Sequence, residues 1–201
     1  MKTRDRILQA ALDLFNDKGT ACVTTHHIAD ACGISPGNLY YHFRNKSEII
    51  RALFQKSLAE NQTQSENDQP ANYRDGVEAG ISFAKDYSWR YRFLKHELPQ
   101  LLRQDEILRS QFHELHRKQL LATRTAIDQA IEIKGIKPLH EREKDYLAEL
   151  SWLVALFWPS LIEVGGEEPT RENLDRGMDI IRWLFTGPLA LSKEQTPVEE
   201  K

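Results

Sequence analysis

The sequence predicts an all-α chain in two parts: an N-terminal three-helix unit built around a helix-turn-helix (residues 1–60) and a larger helical domain (residues 61–191). A polar tail (192–201) follows, expected to be disordered. Three observations predict this. Apolar residues recur three and four apart in one stretch after another, and no segment alternates with period two. Gly or Pro closes most of those stretches. Residues 61–72, NQTQSENDQPAN, hold no large apolar side chain, which marks a solvated connection between two cores.

The first helix is expected over residues 3–18, with Thr3 as N-cap, Ile7, Leu8, Ala11, Leu14 and Phe15 on one face, and Gly19 as terminator. Residues 24–46, TTHHIADACGISPGNLYYHFRNK, then read as two short helices joined by a tight turn. Thr24 caps the first, which buries Ile28, Ala29 and Cys32. Gly33 closes it in the left-handed conformation, and Ile34 drops between the helices. Ser35 caps the second helix with Pro36 at its first position, where a missing N–H costs nothing. Leu39 and Phe43 anchor that helix inward, leaving Gly37, Asn38, Tyr40, Tyr41 and His42 over the remaining surface. The order Asn45-Lys46-Ser47-Glu48 is a capping-box pattern. It starts a helix whose Ile49, Ile50, Leu53 and Phe54 complete the small core and which is expected to end near Glu60.

Beyond the polar connection, residues 73–102 form a helical region with breaks expected near Ser88-Trp89 and at Pro99. One long helix is expected over 105–134, closed by Gly135 and Pro138. Residues 141–164 are helical and apolar almost all round in their second half, with Pro159 expected to kink the helix or mark its last turns. Thr170 caps a final helix that stops at Gly187-Pro188.

The net charge of −3 is unevenly spread: residues 1–60 carry 8 Lys+Arg against 6 Asp+Glu, the rest 19 against 24. The N-terminal part is therefore the end suited to an anionic partner. The two cysteines, Cys22 and Cys32, make no disulfide framework and suit a reducing compartment. No signal-peptide pattern opens the chain. The longest apolar-rich run, residues 150–162, is shorter than a membrane crossing requires, so a cytoplasmic chain with no membrane partner is expected. No phosphate loop, nucleophile elbow, HExxH or CxxC pattern occurs, which argues against an enzyme, and no cofactor is expected.

The string IADACGISPGNLYYHFRNKSEII resembles the DNA-binding signature of the tetracycline-repressor (TetR) family of bacterial transcriptional regulators. The resemblance covers roughly residues 3–56 and runs through Thr24, Ile28-Ala29, Gly33-Ile34-Ser35, Gly37, Leu39-Tyr40, His42-Phe43 and Lys46. It implies a homodimeric DNA-binding regulator, a repressor released from a palindromic operator by a small-molecule effector. By position in that motif, Pro36, Gly37, Asn38 and Tyr41 face the major groove of double-stranded DNA. Tyr40, His42, Lys46, Thr24 and Thr25 hold phosphates, and Ser35 starts the recognition helix.

In the larger domain the family implies an effector cavity, for which Phe93, His96, Glu97, Trp152 and Phe157 are candidate lining residues. Aromatic residues at helical spacing are also ordinary core. The last two helices resemble the family's dimerisation pair, with Trp152, Leu156, Leu161, Ile181, Leu184 and Phe185 as candidate interface residues, against a fully buried central helix. His113 and His116, three apart, could face one metal ion with His96 and Glu97 as added ligands. Nothing in the spacing fixes that set, and no metal site is expected. The rival reading is a metal-binding or interaction-type helical protein without effector-gated DNA binding.

Overall fold

The computed structural model describes residues 2–67 and 72–190. Among them are ten helices and no strand, with an isolated bridge between Ile136 and Ala190. The helices are α1 Thr3–Cys22, α2 Thr25–Cys32, α3 Pro36–His42, α4 Lys46–Asn67, α5 Tyr73–Arg90, α6 Arg92–His96, α7 Leu98–Gln104, α8 Glu106–Glu132, α9 Glu141–Val164 and α10 Arg171–Thr186. The expected disordered tail lies outside the described residues. Helix α4 runs seven residues past the expected end at Glu60, because residues 61–67 hold no Gly or Pro to stop it.

The chain divides into two compact units, residues 1–67 with 86–113 and residues 68–85 with 114–201. The first is wider than the 1–60 segment expected from sequence. Its core gathers Ile7, Leu8, Ala11, Leu12 and Phe15 of α1, Val23 just after it, Ile28 and Ala29 of α2, Leu39, Phe43, and Ile49, Leu53 and Phe54 of α4, all buried. Gly19 takes φ +73° and kinks α1 rather than ending it, so the helix resumes for one further turn to Cys22.

The helical run after α5 is broken at Tyr91, Glu97 and Asp105, and each break is tied to the first four helices. The Asn16 side chain donates to Arg90 O (2.8 Å) and accepts from Phe93 N–H (3.2 Å). Thr20 donates its N–H to Glu97 Oε1 (2.8 Å) and its hydroxyl to Oε2. Asp105 caps α8 through Leu108 N–H (3.0 Å) and pairs with Arg51 of α4 at 2.5 Å. Phe93 is buried with its ring 5.2 Å from that of Phe15. A hydrogen bond to a charged group contributes roughly 1.5–3 kcal/mol net and a neutral one roughly 0.5–1.5, so the two carboxylate ties, with the weaker amide tie of Asn16, set the placement of α6 and α7 on α1 and α4.

In the second unit Ile127, Ala130, Ile136, Leu147 and Ala148 form a core on which Leu184 and Phe185 pack. Helix α10 lies on α9 so closely that a Cβ on Gly177 would stand 2.5 Å from Trp158 Cγ. Trp158 Nε1 also donates to Asn173 O (2.8 Å). Pro159 sits buried inside α9, which continues past it to Val164. Lys144 bridges Asp128 (2.6 Å) and Glu141 (2.7 Å) across the start of α9.

Candidate nucleic-acid interface

The turn between α2 and α3 is fixed at both ends by caps. Thr24 Oγ1 accepts from His27 N–H (3.2 Å) while His27 Nδ1 accepts from Thr24 N–H (3.4 Å), a reciprocal box in which a histidine takes the usual Glu position. His27 thus has a structural task at the start of α2. Gly33 closes α2 at φ +63°, Ser35 Oγ accepts from Asn38 N–H (3.2 Å), and Pro36 occupies the first turn of α3. Arg6 donates to Cys32 O (2.6 Å), holding the C-terminus of α2 against α1. Burial pushes the Cys32 thiol up, with Arg6 partly offsetting it, so this cysteine is packed and unreactive; Cys22 is exposed.

Helix α3 buries a single side chain, Leu39, and Phe43 follows it inward under the Arg4 guanidinium. Most of what else it carries is turned outward: Gly37 and Asn38 are exposed, Tyr41 is 86% exposed and Tyr40 45% exposed, while Pro36 and His42 are half-buried. A side chain on Gly37 would meet nothing nearer than Ser35 Oγ at 4.0 Å, so nothing inside the chain demands glycine there. Tyr40 is held by its hydroxyl to Thr25 Oγ1 (3.0 Å), which brings two of the expected phosphate holders together on α2 and α3. His42 stands edge-on to Tyr41 at 5.1 Å.

Lys46 has a structural task beside the phosphate contact expected of it. Its Nζ donates to Thr20 O (2.5 Å) and Val23 O (2.9 Å), closing the end of α1. Two of its three protons are thereby committed, leaving one for a phosphate. Asn45 caps α4 through Glu48 N–H (3.0 Å), and Glu48 reaches back to Arg44 N–H (2.8 Å). Lys46 and Glu97 both end on Thr20, a node that sequence spacing gives no means of seeing.

The exposed groups on α3 are hydroxyl, amide and imidazole side chains beside a glycine, the set that reads base edges and sugar-phosphate in a major groove. Two family models match the chain. Residues 7–53 fit bacterial regulatory proteins of the tetR family, and residues 85–196, more than half of the 201, fit a bacterial transcriptional repressor of the same name. The chain belongs to the TetR family. It is 33% identical to a TetR-family transcriptional regulator from Marinobacter aquaeolei VT8, with a TM-score of 0.83 over 95% of this chain and 92% of that one. It is 44% identical over 59 residues to the class A tetracycline repressor of transposon 1721 from Escherichia coli, covering 29% of this chain and 27% of that protein. It is 36% identical over 85 residues to the transcriptional regulator UidR of E. coli K12, covering 42% of this chain and 38% of that protein. These last two matches span well under half of the curated relatives' own length. TetR-family proteins such as these are transcriptional regulators, not enzymes.

The candidate effector and dimer residues fall into several groups. Phe93 and Glu97 are engaged on α1, as described, so neither is an open lining residue; His96 is exposed. Trp152 is half-buried with its ring 5.8 Å from that of His116. Phe157, expected in a cavity, is 43% exposed on α9. Leu156, expected at an interface, is buried within the subunit beside Pro159 and Ile162, and Leu184 and Phe185 are half-buried against the core, as is Ile181 in its own helix. Leu161, also expected at an interface, does lie on the outward face of α9, with Tyr146, Leu150, Leu153, Phe157 and Val164, and Ile180 and Trp183 are the exposed apolar residues of α10. The reason is phase: a helix apolar almost all round announces burial without saying which arc faces its own subunit.

Proposed function

We propose that this TetR-family chain is a homodimeric repressor that sets two α3 helices into a palindromic operator and is released by a small-molecule effector. The observation that carries the reading is the surface of α3. It is locked by caps at its start and one buried leucine, and it leaves Gly37, Asn38 and Tyr41 with no task in the fold. Pro36, Gly37, Asn38 and Tyr41 enter the groove; Thr24, Thr25, Tyr40, His42 and Lys46 hold the flanking phosphates, with Thr25 and Tyr40 acting as a pair.

A monomer reads half a site. The second half is supplied by a twofold mate whose α9 and α10 cover Trp183 of α10 and the α9 stripe of Leu150, Leu153, Phe157 and Leu161, spaced three and four apart as a helix-bundle seam requires. Helix α9 is also long and apolar enough, by length and composition, to cross a membrane, which the shorter run 150–162 did not suggest. Its exposed apolar residues are confined to one face, and its other face packs on α10, the pattern of a helix that meets another helix. With the pair formed, the recognition helices enter successive major grooves about 34–36 Å apart, or a multiple of that spacing.

Release follows from the three ties. An effector that prefers α6 and α7 in another position must shift Asn16, Thr20 or Arg51 with them, and through these α1 and α4. It lowers operator affinity by its differential affinity for the two arrangements. Selection of duplexes from a random pool, followed by polarisation titrations at several salt concentrations, tests the reading. Enrichment of an inverted repeat with affinity falling steeply as salt rises is the expected outcome. A pool that stays random with salt-independent binding would favour the interaction-type alternative.

A further inference from the structure

Lys95 lies on α6, two residues before the break at Glu97. Part of its stem reaches solvent, but its ammonium is enclosed. Nζ donates to Ser88 Oγ at 2.7 Å and stands 5.9 Å from the centre of the Tyr87 ring. Ser88 is itself buried. Among the described residues no carboxylate pairs with this lysine, whereas Lys85 and Arg90 each have one and Lys144 has two. Burial lowers its pKa to about 8, so near neutral pH it still carries its proton, and among the described residues it is met by a hydroxyl and an aromatic ring rather than by a paired charge. The same aromatic layer holds a second buried polar group. The Tyr87 ring lies 5.2 Å from that of Tyr91, whose buried hydroxyl finds no hydrogen-bond partner at ordinary geometry. Burial, and then the neighbouring Glu60 carboxylate, raise the Tyr91 phenol far above its ordinary value, so it stays protonated and able to donate.

We propose that Lys95 receives the charged head of the effector, which is a singly charged organic acid with an apolar or aromatic body, its carboxylate held by Lys95 and Ser88 against the Tyr87 ring. The inference rests on the effector-gated reading above and names the chemistry of that effector. A single charge is set by the neighbours. Lys95 is one cation; Arg90 is committed to Glu60, and Arg92 lies over the Trp89 ring at 4.2 Å while donating to Trp89 O. An aromatic layer desolvates a second negative charge without offsetting that cost. The position also suits a switch, because α6 is tied to α1 at both ends, through Asn16 and through Glu97.

The experiment is calorimetric titration of the full chain with octanoate and 3-phenylpropionate, each beside its neutral amide, on the native protein, Lys95→Met and Lys95→Arg. Met keeps the length of the stem without the charge, and Arg keeps the charge. The expected result is tenfold or greater preference for acid over amide in the native protein, lost in Lys95→Met, kept at least in part in Lys95→Arg, and declining as pH rises past 8. Acid and amide binding alike, a preference that survives in Lys95→Met, or no acid binding at millimolar concentration overturns the proposal. Titration of the selected duplex with and without saturating acid separates the two readings. Intact duplex binding with no acid preference sinks the Lys95 proposal alone, whereas absence of duplex binding sinks the repressor reading. Acid binding that leaves duplex affinity unchanged overturns the acid's role as effector.

Discussion

Tyr41 on α3 and Val164 at the end of α9 are equally exposed, each at 86%, yet the surfaces they stand on ask for different partners. Around Tyr41 are Asn38, His42, Tyr40 and a glycine that could accept a side chain. Along α9, the exposed neighbours are Tyr146, Leu150, Leu153, Phe157 and Leu161 in a single stripe. Exposure of a large side chain says only that something is absent. The company it keeps says what. Hydrogen-bonding tips around a close-approach glycine fit a polar groove, and aliphatic side chains three and four apart fit another helix.

The sharpest way to break that comparison is to place charge in the stripe. Leu153→Glu with Leu161→Glu should leave the subunit folded, since both side chains are exposed, but convert dimers to monomers in sedimentation. Operator affinity should then fall by roughly 100-fold or more, because the second half-site is no longer delivered at high effective concentration. On α3 the opposite dissociation is expected. Asn38→Ala and Tyr41→Ala should change folding stability by no more than about 0.5 kcal/mol. Each should weaken the cognate duplex by about 1–3 kcal/mol for every base edge it no longer reads, measured by polarisation titrations beside thermal melts. Gly37→Ala sharpens this further. Helix propensity predicts a gain in stability of up to about 1 kcal/mol, and the added methyl should still impair duplex binding.

The Thr20 node belongs to neither surface, and its loss should be felt by both stability and function. Thr20→Val removes one of the two donors to the Glu97 carboxylate and should cost about 1–3 kcal/mol in denaturant unfolding, with a weaker effect of effector on duplex affinity. The remaining expected effect is one of pH. Lys95 falls from 10.5 to about 8 in the folded chain, so between those values the unfolded state binds more protons and stability rises with pH. Tyr73, raised to about 12 by burial, acts in the opposite sense above pH 10. The difference between native and Lys95→Met stability curves isolates the lysine. The variant should be the more stable below pH 8, with the gap closing toward pH 10.5.

Much of the first unit was legible because its signals are local. Thr24, Gly33, Ser35, Pro36 and Asn45 each act within three residues of themselves, and all five do so in the structure. The ends of elements without a breaker were less legible, as with α4 running on to Asn67. The ties at Asn16, Thr20, Arg51 and Lys95 were not. Asn16 and Thr20 meet partners more than seventy residues away, and no periodicity encodes a polar pair at that separation. Lys95 reads as an ordinary charged residue until its surroundings are known. For α9 the difficulty was excess rather than want of signal: with apolar residues on nearly every side, Leu156 and Leu153 looked alike, and only packing on α10 separated the inward one from the outward.

The central claim is that two copies of this chain, joined through α9 and α10, place two α3 helices on one duplex. Light scattering of the purified protein with a duplex carrying the selected inverted repeat measures it directly. The account predicts a mass of two chains per duplex, or a multiple of two, at physiological salt. A complex of one chain per duplex, or a lone subunit with no complex at all, would contradict it.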